Sequence, residues 1–161
     1  MSVRKLAREP GMELLLWRHA DAEYGPPDEL RQLSAKGLRQ AERMGRWLRR
    51  HAPNDLKILV SPTMRTRQTA LAFRDDVTLC EAIGPSAGAA DLLAAAGWPG
   101  ADGAVMLVGH QPTLGEAASL LLGASAPQSI RKGCLWWFSR RMRAGEEETL
   151  LRAVIGASEL D

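Results

Sequence analysis

The chain has 161 residues, 45% hydrophobic and 25% charged, which is the size and balance of one soluble globular domain with its own core. A net charge of +2 with no block of five or six like charges argues against a nucleic-acid partner and against a charged tail. No stretch reaches the ~18 apolar residues of a membrane helix, and no apolar run follows Arg4, Lys5 and Arg8, so no membrane contact and a cytoplasmic location are expected.

In chain order, residues 1–11 read as a short mobile lead and residues 12–161 as a single domain. Glu13–Trp17 is an apolar run of buried-strand length, followed by a polar loop containing Pro26 and Pro27. Ser34 starts a helix whose apolar face is expected to carry Leu38, Ala41, Gly45 and Leu48, and Pro53-Asn54 stops it. Leu56–Val60 is a second strand. Ser61 is then expected to cap a helix with Pro62 at its first position, running to about Phe73. Val77–Cys80 reads as a third strand, Ala87–Ala96 as a helix and Ala104–Val108 as a fourth strand. Pro112 opens a helix that ends near Gly123. Cys134–Ser139 and Thr149–Ile155 are expected to pair as a hairpin turning at Ala144-Gly145, with Glu146–Glu148 in a solvated turn. Strands alternating with helices predict a three-layer α/β/α sandwich around a mainly parallel sheet, with ligands bound beyond the carboxyl ends of the strands.

Cys80 and Cys134 are far apart and outside any CxxC pattern, which favours isolated thiols. None of the three histidines has ligand spacing, so no metal is expected. His51 is expected to meet only the last carbonyls of its helix.

Three polar, cationic segments each leave the end of a strand: Arg18-His19-Ala20-Asp21, Ser61-Pro62-Thr63-Met64-Arg65 with Gln68-Thr69 beyond it, and Gly109-His110-Gln111-Pro112. Gathered at one edge, they suit phosphoryl transfer. Arg18 and Arg65 can each fork onto two phosphate oxygens. At ~4 Å and an effective dielectric of ~20, each such pair is worth up to about 4 kcal/mol before desolvation. A neutral imidazole is a good nucleophile toward phosphorus when a backbone carbonyl fixes its other nitrogen. A second histidine, if protonated, adds charge where the transition state gathers it.

The ordered set Arg18-His19-Ala20-Asp21, Leu33-Ser34-x-x-Gly37, Ser61-Pro-x-x-Arg65-x-x-Gln68-Thr69 and Gly109-His110-x-Pro112 resembles the histidine phosphatase superfamily. Within it, the chain is similar to the small SixA-like phosphohistidine phosphatases. The tail Lys132-Gly133-Cys134-Leu135-Trp136-Trp137 is similar as well. The resemblance implies a phosphoglycerate mutase-like fold and no cofactor. It implies His19 as nucleophile, with Arg18, Arg65 and His110 on the phosphoryl group. The implied activity is metal-independent hydrolysis of protein-borne phosphohistidine. The alternatives are a small phosphate ester as substrate, or a phosphate-binding module without turnover. Two positions depart from the pattern. Ala20 replaces the usual Gly, adding a methyl beside the nucleophile. The leaving-group acid of the broader superfamily aligns near Pro85, where Glu81 is the only nearby carboxylate, read either as that acid or as a loop anchor. Asp21 is read as orienting His19 or a substrate, or else as capping its loop. Ser61 is read first as a helix cap, with a phosphate contact by its hydroxyl as an alternative that the site does not need.

Overall fold

The computed structural model describes residues 11–160; the expected lead over residues 1–10 lies outside them. Six strands form one sheet in the order β3-β2-β4-β1-β5-β6. β1 (Gly11–Arg18), β2 (Leu56–Val60), β3 (Thr78–Leu79) and β4 (Gly103–Gly109) run parallel. β5 (Leu135–Arg143) pairs antiparallel with β1, and β6 (Glu146–Ile155) antiparallel with β5. The sheet is therefore parallel at its centre and mixed as a whole.

Leu14–Trp17 of β1 and Ala104–Val108 of β4 read as unbroken apolar runs because both of their faces are buried. Leu14, Leu16 and Leu107 pack on one side with α3 (Ala89–Ala96) and α4 (Thr113–Leu122). Leu15, Trp17 and Val108 pack on the other with α1 (Ala35–His51) and α2 (Met64–Leu71). This alternation makes the three layers. Among the described residues, no helix is long and apolar enough to cross a membrane.

α1 starts where expected, with the Ser34 hydroxyl accepting the N–H of Gly37 at 3.0 Å. Its buried face differs by one position: Gly37, Ala41, Met44, Gly45 and Leu48 are buried, while Leu38 is exposed. The face rotates because Gly37 lies against the main chain of Asp21, where any side chain would collide with the Asp21 carbonyl. At the other end His51 does more than meet carbonyls; it stacks on Trp47, with ring centroids 4.5 Å apart. α4 ends at Gly123 in the left-handed region (φ 64°), which closes the helix.

α2 departs most from expectation. It is capped at Thr63 rather than Ser61 and ends at Leu71. Ser61 still follows the sheet, its N–H donating to the Val108 carbonyl at 3.1 Å, and Pro62 holds the preceding residue extended. The tail hairpin turns at Ala144-Gly145 as expected, both with positive φ (51° and 82°), but its strands are longer. Glu147 and Glu148 belong to β6 and pair with Arg140 and Arg141 across the ladder, so they are not turn residues. Trp137 is buried, and Trp136 packs half-buried on the opposite side. Cys80 and Cys134 are free thiols, each half-buried.

Candidate active site

The parallel register brings the three segments side by side. β1 and β2 both pair with β4, and the pairing runs one residue past each strand: His19 N–H donates to the Gly109 carbonyl at 3.1 Å, as Ser61 does to Val108. His19, Ser61 and His110 thus leave neighbouring strands at one edge, and all three are buried.

His19 Nδ1 lies 2.8 Å from the carbonyl oxygen of Ala20. A carbonyl only accepts, so Nδ1 carries the proton and Nε2 keeps its lone pair. The His110 ring lies beside it, with centroids 5.5 Å apart. His110 Nε2 is 2.8 Å from Ser61 Oγ, and its Nδ1 is 3.4 Å from Arg65 Nη2. A guanidinium only donates, so Nδ1 faces a donor and Nε2–H points to the serine. Burial lowers the pKa of His19 to about 4, helped by Arg65, Arg18 and Arg31, against the raising effect of the Ala20 bond. Burial, Arg65 and His19 lower that of His110 to about 3. Both rings are thus neutral near pH 7 in the free protein, and the condition set for His110, that it be protonated to add charge, is not met there.

Arg18 Nη1 donates to the Ile130 carbonyl at 3.1 Å, while its Nε is buried without a partner among the described residues. Arg65 is buried under the loop that follows β1. Its Nη1 donates to the main-chain oxygen of Asp28 (2.8 Å) and its Nη2 to the Asp28 carboxylate (3.1 Å). Asp28 opens a short 3-10 turn, Asp28–Leu30, and its other carboxylate oxygen takes a bond from Arg31 at 3.2 Å. Asp28 and Arg31 went unread in the sequence. Their one signal is an acid–base spacing of three in a proline-rich loop, which is common on any surface.

The remaining expected residues divide. Ser61 does not cap a helix; its hydroxyl holds His110. Asp21 accepts from Ser34 Oγ at 2.6 Å and from Lys132 Nζ at 3.1 Å, which ties its loop to α1 and to the tail. The Ser34 bond, then Lys132, hold its carboxyl below the usual range against the opposing effect of burial. Glu81 sits in a 3-10 turn (Glu81–Ile83) and is exposed, and no hydrogen bond reaches its carboxylate among the described residues. The Ala20 methyl turns away from solvent into a small apolar cluster with Leu33 and Ala41, so it adds packing there. Gln68 and Thr69 gain a physical meaning. Gln68 Oε1 accepts the Leu33 N–H (2.7 Å), and Thr69 Oγ1 accepts the Ala20 N–H (3.0 Å) while donating to the Arg65 carbonyl (2.7 Å). One turn of α2 therefore clamps the His19 loop and carries Arg65.

Among the described residues, no group of three or more His, Cys, Asp or Glu side chains is placed to hold a metal ion. The site's positive charge rests on guanidinium groups around two neutral imidazoles. Such a site, at the carboxyl edge of a parallel α/β/α sheet, is built to receive a compact polyanion such as phosphate.

Comparison with known proteins gives the class a family. Residues 14–83 match the model of the histidine phosphatase superfamily, branch 1. A phosphohistidine phosphatase SixA homolog of Haemophilus influenzae is 31% identical over 136 residues, 74% of this chain and 82% of that protein. A structure assigned as phosphohistidine phosphatase SixA from Nakamurella multipartitia superposes with a TM-score of 0.72 at 26% identity, covering 91% of this chain and 98% of the other. The protein histidine phosphatase SixA in complex with tungstate shares the fold, with a TM-score of 0.71 at 20% identity over 92% and 99%. The chain belongs to the histidine phosphatase superfamily, in its SixA-like branch, and is a phosphatase.

Proposed function

We propose that this phosphatase hydrolyses phosphohistidine carried on a protein, passing the phosphoryl group through His19. The observation that carries the reading is the Nδ1–H bond of His19 to the Ala20 carbonyl, which leaves a neutral ring with Nε2 free. Nε2 attacks phosphorus while Arg18 and Arg65 donate to the phosphoryl oxygens, and His110 joins them through Nδ1–H once the arriving anion has drawn a proton from solvent onto that nitrogen. The P–N bond of the substrate breaks, and its ring, already protonated on the other nitrogen, leaves as neutral imidazole. Phosphorylated His19 keeps its Nδ1 proton on the carbonyl, so it is itself a good leaving group. Water then attacks phosphorus, its proton goes to the departing phosphate, and neutral His19 is regenerated.

The choice of substrate follows from the carboxyl groups. An alkyl phosphate ester expels an alkoxide that needs a proton, and a positioned acid is typically worth ~10²–10⁴-fold. Glu81 is exposed without a hydrogen bond among the described residues, and Asp21 is spent on Ser34 and Lys132. Asp28 is pulled up by burial, but the bonds from Arg31 and Arg65 outweigh this and keep it ionised. Neither aspartate is held as a protonated donor. The similarity to proteins described as phosphohistidine phosphatases supports the same choice.

The test compares turnover of a phosphohistidine protein with that of an alkyl phosphate, alongside rapid acid and alkali quenches. Phosphohistidine should be hydrolysed at least ~10²-fold faster. The trapped enzyme should carry acid-labile, alkali-stable phosphate that is absent in His19→Ala. Equal rates on both substrates would overturn the substrate assignment. Phosphate on another residue, or none under burst conditions, would overturn the intermediate.

A further inference from the structure

Arg65 has five N–H donors in a planar fork, and one residue takes its outer end. Nη1 gives a hydrogen to the Asp28 main-chain oxygen and Nη2 gives one to the Asp28 carboxylate. The opposite edge is left, made of Nε–H and the second Nη2 hydrogen. Nη2 is the nitrogen that faces His110 at 3.4 Å, and Nε is buried with no partner among the described residues. A buried, unpaired N–H beside a long, weak contact marks where an incoming acceptor gains most. Asp28 is in turn fixed from its far side: Arg31 holds its second carboxylate oxygen, and Arg31 Nε is anchored on the Glu23 carbonyl at 2.7 Å.

We propose that Asp28, braced by Arg31, is a positioning residue that aims the Nε–Nη2 edge of Arg65 at the phosphoryl group. This rests on the reading of the pocket as a phosphoryl site. The same contact admits an opposite sense, in which the Asp28 carboxylate competes with phosphate for Arg65. The geometry favours aiming, because Asp28 takes the outer edge of the fork and leaves the edge toward His110 with a single long contact and an Nε–H that has no partner among the described residues. Bidentate recognition depends on the orientation of the guanidinium plane, so a fork free to swing loses both oxygens together.

The experiment measures kinetics on an aryl phosphate, whose weakly basic leaving group needs no acid, and dissociation constants for tungstate. Asp28→Ala should lower kcat/KM by about 10- to 100-fold and weaken tungstate by about 10-fold. Asp28→Asn keeps a neutral acceptor and the main-chain bond, and should lose only ~3-fold. Arg31→Ala should fall between them. In an Arg65→Ala background, Asp28→Ala should cause no further loss, because it acts through Arg65. A further loss in that background, wild-type behaviour of Asp28→Ala, or tighter tungstate in any Asp28 variant would each overturn the proposal. Should Asp28→Ala fail to fold, Asp28→Asn carries the same test: an undiminished kcat/KM or tighter tungstate overturns it. Full activity in Arg65→Ala itself would instead remove the phosphoryl-site reading, so the two failures are distinct.

Discussion

Each of the two buried imidazoles makes one strong hydrogen bond, and these bonds decide the ring's role: His19 gives its proton to a carbonyl, His110 gives its proton to Ser61. Ring resonances in an NMR titration should therefore move near pH 4 for His19 and near pH 3 for His110, far below the ordinary 6.5. Both folded values lie below the unfolded one, so between about pH 4 and ~6.5 the unfolded chain binds more protons. Stability should rise with pH through that window and be lost on acidification, as a urea titration at pH 7 and pH 4.5 would record. His19→Ala should flatten part of that dependence, and a curve identical to wild type would contradict the assignment. Ser61→Ala strips the acceptor from His110 Nε2–H and should lower kcat/KM by about 10-fold while retaining the fold. Arg18→Ala and His110→Ala should each cost about 10²-fold, comparable to losing one preorganised donor. At this scale the sequence was partly legible. His19, Arg18, Arg65 and His110 stand in fixed places after strands, where chemistry is expected. Asp28 and the true task of Ser61 depend on which side chains meet across 37 and 49 residues of chain, and no local spacing encodes that.

Among the elements, α2 has the widest reach. In about two turns it supplies Arg65, receives the Leu33 amide on Gln68 and receives the Ala20 amide on Thr69. Thr69→Val keeps the shape and removes that acceptor, leaving the buried Ala20 N–H unpaired. The expected cost is about 1–3 kcal/mol in stability, with a loss of activity larger than the conservative exchange implies. Denaturant unfolding and a rate on an aryl phosphate measure the two effects. Gln68→Leu should act the same way on Leu33, with less effect on His19. The start of this helix was misread because Ser-Pro is a standard opening, while here the chain stays in register with β4 through Ser61 before turning. The hairpin was read too short for the opposite reason. Its outer residues are charged, and only the cross-strand pairs Arg140–Glu147 and Arg141–Glu148 show that such residues belong to a ladder.

Across the whole molecule, function follows from strand order. β1, β4 and β2 are neighbours in the sheet but are separated by helices in sequence, and all three end at the same edge. The alternation of elements made the layered fold legible. The order β3-β2-β4-β1-β5-β6, and the antiparallel pair that makes the sheet mixed, depend on pairings between distant segments. The tail closes the end of β1: the Gly133 N–H donates to the carbonyls of both Arg18 and His19, at 3.1 and 3.0 Å. With guanidinium groups supplying the charge, exhaustive chelation should leave the rate on an aryl phosphate unchanged. A loss that magnesium or zinc restores would assign the charge to an ion instead.

The carbonyl of Ala20 has a regiochemical consequence. An imidazole can be phosphorylated on either nitrogen, which gives two isomers of different lability. With Nδ1 engaged by the main chain, the proposed intermediate on His19 is expected to form only at Nε2. Every turnover should pass through the Nε2 isomer, and hydrolysates of the trapped enzyme should contain it alone.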